Sequence, residues 1–150
     1  MAPTPPVLPE NLAAIIAHYC KKLDFSITLD AVNLLVDRSR ENPRTITQNL
    51  DMLFMMKDNS NINIQDALKA TELRGIGVHG LMEKDIKILK ILGEYGKVGA
   101  ETLSEIIDSV DIKNYKVWER YLINKELIIP SRGGRELTKK GQQVLKELQI

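Results

Sequence analysis

Arginines placed beside helix breakers and glycines are the residues of this chain best suited to chemistry. Asn42-Pro43 supplies an N-cap and a first-turn proline for a helix that opens with Arg44. Arg132-Gly133-Gly134-Arg135 sets two more guanidinium groups on a glycine tip. Such a tip lets backbone come close to a partner, which suits phosphates or a minor groove. Between them, Lys113, Asn114, Lys116 and Arg120 fall on one face of a helix, and lysines there serve as phosphate contacts that carry little sequence information.

Other chemistries lack their residues. Nothing reads Gly-x-x-x-x-Gly-Lys-Ser/Thr, the loop whose backbone N–H groups wrap phosphates. The chain alone is therefore not expected to hydrolyse ATP, and no catalytic residue is assigned. Gly75-Ile-Gly-Val-His-Gly80 matches Gly-x-Gly-x-x-Gly, but a helix precedes it where a dinucleotide fold needs a strand. His18 and His79 have no cysteine or carboxylate at ligand spacing, so no metal site is expected. Cys20 has no internal cysteine to pair with and no histidine beside it. It reads as a structural thiol in a reducing, cytoplasmic protein.

The elements that must position these residues divide at the glycines. Helical spacing of apolar residues predicts a helix from Glu10 to about Leu23, a second capped by Thr28 and ending near Arg40, a third starting at Asn42-Pro43, and a fourth capped by Asn63 and running to about Leu73. Short loops join them, so one small bundle follows. Gly75 to Gly80 reads as a flexible hinge. Beyond it come helices over Met82–Tyr95, Gly99–Ser109 and, after a tight turn at Val110-Asp111, onward to about Ile123. Leu127 to Ile129 and Arg135 to Thr138 form a hairpin around a turn-rich Pro130 to Gly134, and a last helix is capped by Thr138. Helix, helix-turn-helix, hairpin, helix is the winged-helix order. The expected fold is mainly α: residues 1–8 an arm, 9–74 a four-helix bundle, 75–80 the hinge and 81–150 a winged helix. Trp118 and the tyrosines at helical spacing are expected in the core.

Charge follows the same division. Residues 1–80 hold 8 basic and 9 acidic side chains, and residues 81–150 hold 13 and 11. From Tyr115 to Lys146 the counts are 8 and 3, a local basic stripe of the kind that meets nucleic acid. An apolar content of 43% with 27% charged residues is that of an ordinary folded protein. No apolar run nears the roughly 20 residues that span a bilayer, so no membrane partner is expected.

The residues also resemble a known family, the C-terminal half of the RuvB-type Holliday junction branch-migration helicase, an AAA+ motor. Arg38-Ser-Arg40 with Pro43-Arg44 is similar to the family's Arg-Ser-Arg-Gly-Thr-Pro-Arg. Gly80-Leu81 with Asp85, Ile88 and Leu89 resembles its Gly-Leu-Asp-x-x-Asp-x-x-Ile-Leu, and Val98-Gly99, Glu101-Thr-Leu103, Glu119 and Tyr121-Leu-Ile123 follow in order. The resemblance implies a four-helix AAA+ lid followed by a winged-helix domain, acting in DNA recombination and repair. It implies that Arg44 senses the γ-phosphate of ATP, with Pro43 against the base and Mg present in the complete protein. It implies that Arg132 and Arg135 touch the arms of a four-way junction. The expected partners are duplex or four-way-junction DNA and an AAA+ ATPase core lying outside this chain, in a hexamer. Two other readings stand beside it: a stand-alone winged-helix transcription regulator, and the lid and winged helix of an origin-binding AAA+ protein. Tight binding to one palindromic sequence would favour the regulator.

Overall fold

Helix boundaries in the computed structural model, which describes residues 8–56, 58–107 and 112–148, are set by groups that satisfy otherwise orphaned backbone N–H donors. The chain divides between Leu81 and Met82 into two units. In the first, α1 (Pro9–Lys22) starts on a proline, which has no N–H to orphan. Thr28 accepts from Ala31 N at the start of α2 (Leu29–Asp37). Asn42 Oδ1 accepts from Arg44 N at 2.9 Å, opening α3 (Pro43–Met56). Asn63 and Asp66 exchange bonds in a capping box that starts α4 (Ile64–Leu73). These helices share one core of Leu12, Ile16, Leu35, Ile46, Leu50 and Leu53, closed by Ala67 and Ala70.

Two features of this unit depart from the sequence expectation. β1 (Ser26–Ile27) and β2 (Asn61–Ile62) pair in parallel, fastened by Ser26 N to Ser60 O and Thr28 N to Ile62 O. Two-residue strands are too short to leave an alternating pattern. Helix α2 stops at Asp37 rather than near Arg40, because Arg40 and Glu41 both adopt left-handed backbone, φ 58° and 56°, which no helix continues.

Side chains of the first unit bond to the glycine segment. Arg38 Nη1 donates to Ile76 O, Arg40 Nη1 donates to Gly80 O at 2.8 Å, and Asp37 Oδ2 accepts from His79 N. Ile76 and Gly80 are buried. The expected hinge over 75–80 therefore packs onto the first unit, whose boundary falls after Leu81. The glycines serve its tight turns there.

The second unit runs α5 (Glu83–Tyr95), α6 (Ala100–Ile106), α7 (Ile112–Asn124), β3 (Ile128–Ser131), β4 (Gly134–Leu137) and α8 (Lys139–Leu148), the winged-helix order. The turn expected at Val110-Asp111 lies outside the described residues, as does nearly all of the arm expected over 1–8. Asp85, fully buried, accepts from Met82 N and caps α5, while Ile88 and Leu89 of the same helix enter the core. Thr138 Oγ1 accepts from Gly141 N at the start of α8.

The hairpin is longer than expected, since Pro130, Ser131 and Gly134 belong to its strands. Proline is tolerated at this place for a visible reason. Its partner Arg135 spends its own N–H and C=O on Val98, to which it bridges on the other side. Pro130 thus occupies a pair that exchanges no backbone bonds, so its missing N–H costs nothing. The single-residue bridge to Val98 on the other edge of β4 is a contact that the sequence reading missed.

Candidate nucleic-acid interface

Helix α7 is amphipathic with an exception. Tyr115 and Leu122 are fully buried, and Tyr121 nearly so, while Lys113, Asn114, Lys116 and Arg120 are exposed. Val117, 70% exposed, lies among these cations. Trp118 is half-buried rather than central in the core, with Lys84 Nζ 5.6 Å from its ring centroid. The exception is Glu119. It occupies the inward stripe between Tyr115 and Leu122 and is itself buried.

Its partner is Arg135. Arg135 Nε donates to Glu119 Oε2 at 3.1 Å and Nη2 donates to Oε1 at 3.0 Å, a two-point planar pair. The Arg135 side chain is 20% exposed and that of Glu119 8%, so losing one partner strands a charge largely out of water. Hydrogen bonding to Glu119 raises the guanidinium pKa further above its ordinary value. The Tyr115 hydroxyl is buried nearby, and burial followed by the Glu119 carboxylate holds it neutral far above the usual phenol range.

The expectation of two guanidinium groups at the wing tip therefore holds for one. Arg132 and Gly133 form the exposed turn between β3 and β4, with Gly133 at φ 89°. Arg135 lies back in β4, turned toward α7. Gly134 is buried against Val98: a Cβ there would stand 2.8 Å from Val98 O, closer than any side chain tolerates. Lys97 Nζ donates to Arg132 O and adds a second cation beside the tip. Sequence reasoning placed Lys113, Lys116, Arg120 and Arg132 on the surface but did not find the Glu119–Arg135 pair. A signal was available, because an acid at a helix position that the spacing reserves for apolar side chains needs a buried partner.

In the first unit the arginines of residues 38–44 separate by role. Arg38 is 6% exposed and donates to Thr71 Oγ1 and Ile76 O. Arg40 is engaged with Gly80 O. Arg44 is exposed in the first turn of α3, beside a half-buried Pro43. Helix dipole and guanidinium there both favour an anion. Among the described residues no group of three metal-ligating side chains occurs, and no helix is long and apolar enough to cross a membrane.

Comparison with known proteins adds the following. Residues 78–146 match the family described as the RuvB C-terminal winged helix domain. The Holliday junction branch migration complex subunit RuvB of Kosmotoga olearia is 31% identical over 149 residues, and that of Chlamydia felis 33% over 144. Each alignment covers 91% of this chain and 42% of the relative. The solved Thermotoga maritima RuvB Holliday junction branch migration motor superposes with a TM-score of 0.79 at 29% identity, over 95% of this chain and 50% of that one. The chain thus spans about two fifths of the length of the curated relatives it matches.

Proposed function

We propose that this chain, whose residues 78–146 match the RuvB C-terminal winged helix domain family, grips the backbone of branched duplex DNA, as the DNA-binding portion of a Holliday junction branch-migration motor. Lys113, Lys116 and Arg120 on α7 and Arg132 on the wing contact phosphates. The observation that carries the reading is the fate of Glu119: the acid of α7 is turned inward and neutralised by Arg135, so the exposed face of that helix keeps its cations without it. Contacts of this kind recognise charge and shape, so affinity falls steeply with salt. In fluorescence anisotropy, the chain should bind a labelled four-way junction at low salt, somewhat more tightly than linear duplex of the same length. Absence of binding at low salt would overturn the reading. Tight binding to one palindromic duplex would replace it with a stand-alone regulator.

The same family reading gives the first unit its role as an AAA+ lid. Pro43 and Arg44 complete a nucleotide site whose ATP and Mg are held by an ATPase core outside this chain, in a hexameric assembly. An exposed guanidinium in a helix's first turn fits a phosphate, which supports this. In a full-length RuvB carrying residues 9–81 of this chain in place of its own, Arg44→Ala should lower ATP turnover by roughly 100-fold. Unchanged turnover would remove the nucleotide role.

A further inference from the structure

The Glu119–Arg135 pair joins the two parts of the proposed DNA surface. Glu119 is fixed on α7 by its neighbours Tyr115 and Leu122, both fully buried. Arg135 is fixed on β4 by its two backbone bonds to Val98, and it faces Pro130 across the hairpin. Gly134 adds contact with Val98 that admits no side chain. A two-point guanidinium–carboxylate contact sets orientation as well as distance, and Arg132 lies only three residues along the hairpin, at its turn.

We propose that Glu119 is a positioning residue for DNA binding: through Arg135 it holds the wing at a fixed angle to α7, so that Arg132 and the cations of α7 meet one DNA backbone together. The inference rests on the DNA-binding reading above. It also moves Arg135 from direct DNA contact to the fastening of the wing. Electrostatics alone requires the opposite sign for Glu119, because deleting an acid beside a polyanion, and freeing an arginine, strengthens binding.

Junction affinity measured against salt for the wild-type chain, Glu119→Gln, Arg135→Gln and the double variant decides between them. Glu119→Gln should weaken binding by about tenfold and lower the slope of log affinity against log salt by about one, although it removes no cation. Arg135→Gln should do the same, and the double variant should lose no more than either single. Glu119→Gln binding as tightly as wild type or tighter, with an unchanged slope, would overturn the proposal. Should Glu119→Gln fail to fold by circular dichroism, Glu119→Asp serves: it keeps the charge but shortens the reach, and an unchanged slope there would equally overturn it. If wild type binds no DNA, the functional reading falls by itself. The fastening is then judged by NMR exchange of the Arg135 Nε–H, slow in wild type and fast in Glu119→Gln if it holds. Fast exchange in wild type would refute it.

Discussion

Two arginines six residues apart, Arg38 and Arg44, show how differently one residue type is used. The Arg38 guanidinium is enclosed and serves Thr71 Oγ1 and Ile76 O, so Arg38→Ala leaves a buried carbonyl without its donor and should cost roughly 1–3 kcal/mol in urea unfolding. Arg44→Ala removes an exposed side chain and should stay within about 0.5 kcal/mol of wild type. Equal losses would contradict this division of roles. Cys20 makes a second residue-scale case. It is 3% exposed, and burial raises its thiol pKa above the ordinary value, so the nucleophilic thiolate is scarce at neutral pH. Iodoacetamide should label it only after denaturation; rapid labelling of the folded chain would contradict its placement. At this scale the sequence was legible where burial follows from apolar spacing, as for Ile88 and Leu89. It was misleading where a polar side chain takes a core position through a partner distant in sequence, as Glu119 does with Arg135.

At the level of elements, capping chemistry made the helices readable. Thr28, Asn42, Asn63 and Thr138 all cap where the sequence places them, because a cap is a local bond between a side chain and backbone two or three residues on. What escaped was non-local: the parallel pair β1–β2 and the Val98 bridge join segments more than thirty residues apart, chiefly through backbone hydrogen bonds. The packing of α8 is likewise invisible in its own residues. A Cβ on Gly141 would stand 2.0 Å from Leu127 O, so that glycine lets α8 close onto the segment leading into β3. Gly141→Ala should therefore destabilise the second unit by roughly 1–3 kcal/mol, read as a lowered midpoint in urea. An unchanged midpoint would show that the helix does not need this approach.

Each half of the molecule is organised around its own apolar interior, and its composition differs accordingly. The core of Leu12, Ile16, Leu35, Ile46, Leu50 and Leu53 is drawn wholly from the first unit. Leu50→Ala should cost about 2–5 kcal/mol there, and hydrogen exchange should quicken in α1 to α4 while α5 to α8 keep their protection. Loss of protection throughout would show one cooperative fold. The basic stripe from Tyr115 to Lys146 belongs to the second unit alone, and the structure turns its most central acid inward. The claim that this surface grips a nucleic-acid backbone is tested most directly by the salt dependence of four-way-junction binding for wild type and Arg132→Ala. We expect weaker binding by the variant and a slope of log affinity against log salt lower by about one. Identical affinities and slopes would contradict it.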